Sequence, residues 1–328
     1  MTNLLSAQFS RLLKSKIFYL SLIFFASWAL YLTLPEFFHF GKTVEFSQYK
    51  FWGNNPLYNP FPLPFTSENI NRILNYDYDF LDFLYNIHIA ADVYLTSNLV
   101  PYVFVTAIFI SLLIGREFGN NTIRTKIIAG YSRLVIYAAN LIVCVSAGII
   151  MQLFYIIMII LPEFIVYLKY NAAGCSVYLF EYSFKDNLVI QLTGFAVIAV
   201  YCSLFLFMTM TASSNYRAVI AALLTVIILL IANFHIENIL YQNSDMYNNY
   251  YSAESITERE ALRGKKLHGT TRIIYNTLDD ILPIRQAHYL QESFDIPVRT
   301  GLYIMYDIGI IAVVNAVGII LFKHKELK

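Results

Sequence analysis

Six long apolar runs, at 17–34, 95–114, 134–161, 188–210, 218–234 and 302–322, alternate with polar breaks along this chain. About 20 apolar residues in a helix cross roughly 30 Å of hydrocarbon, so each run is predicted to be a spanning helix. The third is longer than a bilayer requires and is expected to tilt or project. Ahead of the first run, residues 1–16 carry Leu4, Leu5, Phe9, Leu12 and Leu13 at helical spacing, with Arg11 and Lys14 on the other side. That pattern predicts an amphipathic helix along a membrane surface, or alternatively an uneven start to the first span. Pro35 and Glu36 are expected to end the first span, and Pro162 and Glu163 the third. The run after Lys16 is long enough to span and leads into aromatics rather than a small-residue cleavage site, so it reads as a retained first helix.

The polar segments differ in size and character. Residues 35–93 form a long insertion containing NPLYNPFPLPF and the acidic residues Asp77, Asp79 and Asp82. Prolines at that density forbid regular helix there, whereas residues 70–91 can be helical. A compact basic segment occupies 115–133, a short loop with Cys175 occupies 162–187, and a turn occupies 211–217. A second large insertion, rich in Tyr and Asn, covers 235–301, and the tail is 323–328. The predicted fold class is an all-α membrane protein of six transmembrane helices, with an N-terminal amphipathic helix and two large external insertions of α or mixed α/β structure.

Composition agrees with this pattern: 58% of residues are hydrophobic and 14% charged, against about 25% charged in an ordinary soluble domain. The formal net charge of +1 hides an asymmetry. Both termini, the 115–133 segment and the Arg217 turn hold 11 basic residues against two acidic ones, Glu117 and Glu326, while the rest of the chain, Asp307 of the sixth run included, sums to −8. By the positive-inside rule the first face is cytoplasmic, which makes the chain a multi-pass membrane protein with both termini inside. Nothing in this balance points to nucleic acid. Of the three cysteines, Cys144 and Cys202 lie in apolar runs and only Cys175 in a loop, so no obligatory disulfide is expected.

The chain carries no catalytic or nucleotide-binding signature. Neither GREFGN nor LRGKKLHGTT has P-loop spacing, and HExxH, CxxC and GxSxG are absent. His268 and His288 are too far apart for a metal pair on one helix and are assigned to ordinary surface roles. No catalytic or metal residue is therefore expected. Among polar residues within the spans, Asn98, Asn140, Gln191 and Asn315 are candidates for a translocation path or for hydrogen bonds between helices, alongside Gln152, Asn233 and Asp307. Asn315 sits among Ala312, Ala316 and Gly318, a face on which helices can approach closely. Asp307, near the outer end of its helix, is expected to reach water.

The chain is centred on the segment 114–136, IGREFGNNTIRTKIIAGYSRLVI, a charged hairpin tip between two spans. Gly115-Arg116-Glu117-Phe118, Asn121-Thr122-Ile123-Arg124-Thr125-Lys126 and Ala129-Gly130-Tyr131-Ser132-Arg133 resemble the R-E-F-x-x-G-T-I-R-x-K-x-x-x-G-x-S-R loop of the type-2 ATP-binding cassette exporter permeases of Gram-positive bacteria. Weaker agreement comes from the basic amphipathic N-terminus, the DDILP segment at Asp279 to Pro283 and the tail FKHKELK. Asn121 stands where that family usually has glycine, and asparagine is the substitute best able to adopt a left-handed backbone. The external insertions are larger than in the plainest members.

The resemblance implies a non-catalytic permease subunit whose loop forms a coupling helix docked on a separate cytoplasmic ATPase. Two ATPase copies would use ATP and Mg, with no cofactor bound by this chain, and a second, identical or different permease would complete the pore within membrane lipid. The coupling residues implied are Arg116, Glu117, Asn121, Thr122, Arg124, Lys126, Gly130 and Arg133. Thr122 and the asparagines before it suit a helix start, which Glu117 could cap, or Glu117 could pair with Arg124 or Arg133. Ile123, Ile127 and Ile128 would supply an apolar side, and the competing reading is that these charges only anchor the hairpin at lipid headgroups. The expected cargo is amphipathic, first an antimicrobial peptide of lantibiotic type, otherwise a drug or lipid. The alternatives are a polytopic sensor that binds a ligand through its external loops without transport, and, less favoured, a membrane enzyme acting on lipids or glycans.

Overall fold

The computed structural model describes residues 2–41, 99–172, 184–212, 214–241, 267–286 and 300–325. Asn98, Cys175, the proline-rich string and the three acidic residues after it, and the Tyr/Asn-rich stretch after Tyr241 lie outside the described residues. The described chain is almost entirely helical and contains no strand. Its helices are α1 (Thr2–Leu13), α2 (Lys16–Gly41), α3 (Leu99–Gly119), α4 (Thr122–Ile128), α5 (Arg133–Ala172), α6 (Phe184–Thr211), α7 (Asn215–Tyr241), α8 (Gly269–Ile281) and α9 (Thr300–His324).

Five segments are long and apolar enough to cross a membrane: Pro101–Gly119, Arg133–Pro162, Leu188–Thr211, Asn215–Leu240 and Thr300–His324. A sixth is obtained when Thr2–Leu13 and Lys16–Leu32, bent by 57° at their junction, are taken together. Such a set is compatible with a multi-pass membrane protein, because helices satisfy their own backbone within hydrocarbon. Pro35 and Pro162 do not end their helices: α2 continues to Gly41 and α5 to Ala172. Proline removes one backbone donor, a loss that helices in a bilayer tolerate. At 40 residues, α5 is about 60 Å long, roughly twice the hydrocarbon thickness.

The chain divides into two compact units, Met1–Ser21, Thr96–Gln152 and Leu188–Lys328 in one and Leu22–Leu95 and Leu153–Asn187 in the other. In the second, described residues meet through rings: Phe25 packs edge-on against Tyr155 at 6.3 Å, and Trp28 stacks with Phe24 at 6.4 Å.

In the first unit, α3 packs along α7, and α8 lies against both α7 and α9. Two glycines mark close approaches. A Cβ on Gly115 of α3 would strike the Asn215 side chain at the start of α7, and a Cβ on Gly318 of α9 would strike the Tyr137 hydroxyl of α5. Tyr137 donates to Asn315 Oδ1 at 3.1 Å, and Asn315 Nδ2 donates to the Ile311 carbonyl at 2.7 Å. Asn315 thus joins α5 to α9. At the far end of α7, the buried Arg285 donates from Nε to Asp279 at 2.6 Å and from one terminal nitrogen to Glu237 at 3.2 Å and Asn233 at 3.4 Å. These bonds fasten α8 and the single turn 283–286 across that end. From Asn215 to Glu237, α7 rises about 33 Å, so the Gly115 end and the Arg285 end are a bilayer apart.

Cys144 and Cys202 are buried and free.

Candidate functional site

The hairpin between α3 and α5 is built by local backbone chemistry. Helix α3 runs on through Arg116 and Glu117 to Gly119, where Asn120 N–H donates to the Arg116 carbonyl at 2.9 Å. Asn121 then takes φ 55°, the left-handed conformation that asparagine tolerates better than other non-glycine residues, and α4 begins at Thr122. Helix α4 ends in a Schellman arrangement: Tyr131 N–H donates to the Lys126 carbonyl at 3.1 Å and Gly130 N–H to the Ile127 carbonyl at 2.9 Å. Gly130 sits at φ 89°, where a Cβ is disfavoured. Ser132 Oγ accepts from Val135 N–H at 3.3 Å and caps α5.

Glu117 is wholly buried at the centre of a polar junction. Its Oε1 accepts from Gln8 Nε2 at 2.9 Å, from Lys126 Nζ at 2.5 Å and from an Arg11 terminal nitrogen, and its Oε2 accepts from Asn140 Nδ2 at 3.2 Å. Gln8 Nε2 also donates to Asn140 Oδ1 at 2.7 Å, and Asn140 Nδ2 meets Met210 Sδ at 3.9 Å. One carboxylate therefore joins α1, α3, α4 and α5. Burial pushes the Lys126 ammonium below the ordinary lysine range, although Glu117 pulls the other way.

This pairing differs from the expected one. Glu117 neither caps α4 nor meets Arg124 or Arg133. Arg124 is exposed, and Arg133 donates to the carbonyls of Phe322, Lys323 and Lys325 at 2.9, 2.7 and 2.6 Å, closing the end of α9. Lys325 in turn donates to the Met210 carbonyl at 2.8 Å and to the Ala212 carbonyl, and stands 4.0 Å from the centre of the Phe118 ring. Burial lowers Lys325 to about 8.

Helix α1 buries one face, but the sides expected for Arg11 and Leu13 need correction. The buried stripe is Leu4, Gln8 and Leu12, while Leu13 is exposed. Arg11, expected on the outer side, turns inward to Glu117. A glutamine between two leucines at four-residue spacing is the sequence signal for this contact. Asn140, grouped with the span amides, belongs instead to the hairpin junction. Gln191 is half-buried and not part of this junction. Asp307, expected at water, is wholly buried.

The three isoleucines of α4 do not form one apolar side: Ile123 is buried, Ile127 half-buried and Ile128 86% exposed. Arg116, Asn121, Arg124, Thr125, Ile128 and Gly130 are exposed, and Thr122 is half-buried. The hairpin thus has a side locked into the bundle and a side that nothing described covers.

No protein-family model, curated protein or solved structure matches the chain.

Proposed function

We propose that this chain is the membrane-spanning subunit of an ATP-driven exporter, in which the hairpin 115–133 receives mechanical work from a separate cytoplasmic ATPase. The observation that carries this reading is the division of the hairpin. Glu117 ties its inner side to α1, α3 and α5, while Arg116, Arg124 and Ile128 stay open on the other. A tip that only rested at headgroups would not need its root pinned to three other helices. The lysine and arginine asymmetry supports a cytoplasmic hairpin with both termini inside and both insertions outside.

In this reading two ATPase copies bind ATP and Mg, and a second permease, identical or related, completes the pathway. The permease itself catalyses nothing. The cargo is amphipathic, with an antimicrobial peptide of lantibiotic type first and a drug or lipid next, because the spans carry little fixed charge and the external segments are aromatic.

Purification from native membranes tests the proposal. The wild-type chain is expected to bring down an ATPase that hydrolyses ATP. Arg124→Glu and Ile128→Glu, both at exposed positions, are expected to lose that partner or its stimulated hydrolysis while the chain stays folded. Absence of any ATPase, together with silence of both variants, would refute it.

A further inference from the structure

Helix α8 is turned the wrong way round for a helix in water. Ile274, Leu278 and Ile281 lie four and three residues apart along one edge, with Ile273 beside them. A helix on a soluble domain buries such an edge. Here it faces outward: Ile273 is 67% exposed, Ile274 50% and Leu278 40%. The opposite edge is the buried one. Asp279 and Asp280 are buried, and Arg272, Tyr275 and Asn276 are half-buried. Asp279 accepts from the buried Arg285 at 2.6 Å. The polar edge is therefore the one that α8 turns toward the bundle, where it packs on α7 and α9.

Water does not sort a helix in this way, because exchanging the two edges would bury three aliphatic side chains and return two carboxylates to solvent. Hydrocarbon does. At membrane depth apolar side chains meet acyl chains, while charged ones turn to the protein interior and pair there.

The height of α8 along α7 agrees with this. The Tyr275 ring of α8 lies 6.3 Å from the His235 ring, and Arg285, bonded to Asp279 of α8, reaches Asn233 and Glu237. These three α7 residues stand about 27–33 Å from its start at Asn215, against about 30 Å of hydrocarbon. The exposed apolar side chains of α7 climb to the same height through Ile227, Ile231 and Phe234, the last of them next to His235. A lipid-facing surface on α7 thus reaches the level at which α8 presents its own.

We propose that α8 is a membrane-interface helix, with Ile273, Ile274 and Leu278 set among the acyl chains of the leaflet opposite the hairpin and Asp279 and Asp280 facing the bundle. The partner of its apolar edge is phospholipid. Through Asp279 and Arg285 that lipid contact is tied directly to the end of α7. The inference depends on α7 crossing the membrane and not on what drives the chain.

The test is fluorescence quenching of the full chain in nanodiscs. Ile274→Cys, combined with Cys175→Ala, is labelled with an environment-sensitive fluorophore; Cys144 and Cys202 are buried, and the chain with Cys175→Ala alone gives the background. Emission is quenched either by nitroxide-bearing phospholipid or by aqueous iodide. Ile227→Cys, about 18 Å along α7, is the lipid-facing reference, and Arg124→Cys on the hairpin is the aqueous one. Label at Ile274→Cys is expected to lose emission to the nitroxide lipid and keep it in iodide, with a ratio of the two nearer that of Ile227→Cys. If that variant fails to fold, Leu278→Cys is expected to give the same result. A ratio nearer that of Arg124→Cys would overturn the proposal by placing α8 in water. Emission spared by both quenchers would overturn it by showing the edge covered by another segment of this chain or by a second copy. An aqueous result at Ile227→Cys would overturn it at its root, since α7 would then not cross the membrane.

Discussion

Replacing Glu117 by glutamine should release α1. The substitution keeps size and shape but cannot keep the bonding, because the junction has a fixed polarity. Glu117 Oε1 serves three donors, Gln8, Arg11 and Lys126, so a glutamine must turn its oxygen to that side. Its nitrogen then faces Asn140 Nδ2, donor against donor, at a separation of 3.2 Å in the wild type. Flipping the Asn140 amide would cure that contact but break its bond from Gln8, made at 2.7 Å. The lost charge also leaves Arg11 and Lys126 uncompensated. Removing one partner of a buried pair costs about 3–5 kcal/mol. Arg11 is 33% exposed and partly screened, so the expected cost is about 2–3 kcal/mol. Gln8 and Arg11 are the polar ties of α1, so most of that cost should appear as easier local opening. At about 1.4 kcal/mol per decade, amide hydrogen exchange across Thr2–Leu13 should accelerate about 30- to 150-fold. Exchange measured by mass spectrometry in nanodiscs checks this, with exposed Arg124→Gln as the control expected to leave α1 unchanged. If Glu117→Gln prevents folding, Arg11→Gln should move the same amides in the same direction by less. Unchanged exchange in α1 with either variant would refute the idea that this carboxylate holds the helix.

Two further outcomes follow from the contacts of α9. Gly318→Ala should destabilise by about 1–3 kcal/mol, because its Cβ meets the Tyr137 hydroxyl; combining it with Tyr137→Phe should recover part of the loss, and additive losses in thermal unfolding would show the contact to be irrelevant. Lys325 has a folded value of about 8 against an ordinary 10.5, so the unfolded chain binds more protons between those limits, and its contribution to stability is fully present above the ordinary value and lost as pH falls through about 8. The unfolding midpoint of the wild type should therefore gain relative to Lys325→Met between pH 8 and 10, and parallel profiles for the two proteins would contradict it.

Apolar periodicity was enough to find the long helices, because a run able to cross hydrocarbon is a local property. It failed at Pro35 and Pro162, where a residue that ends helices in water lies inside one. Hairpin backbone chemistry was equally local, but the left-handed Asn121 is anticipated from the glycine that the resembled loop carries there together with asparagine's tolerance of that conformation, since residue type alone does not choose between Asn120 and Asn121. The partners of Glu117 could not be anticipated. Gln8 lies 109 residues from it and Lys126 only nine, and charge patterns give no means of choosing Arg11 over Arg124 or Arg133. The expectation for Asp307 failed for a related reason: its distance from the helix end suggested water, but α8 packs against α9 and Asp307 is wholly buried.

The make-up of the Glu117 junction also bears on how a force at the hairpin would travel. Pulling α4 away from the bundle alone would separate Lys126 from a carboxylate with no exposure, a loss of about 3–5 kcal/mol. It would also withdraw Ile123, whose burial is worth about 1.5–3 kcal/mol. Moving α4 together with α1 and the adjoining ends of α3 and α5 breaks neither contact. The costs therefore favour motion of these four pieces as one body over bending at the hairpin. Helix α1 leads into α2 through a 57° bend at the Lys14–Ser15 break, so displacement of that body would reach the first long apolar helix directly. A buried carboxylate suits this role better than an apolar contact of similar strength, because its four donors fix both register and direction, whereas leucines can slide past one another at little cost.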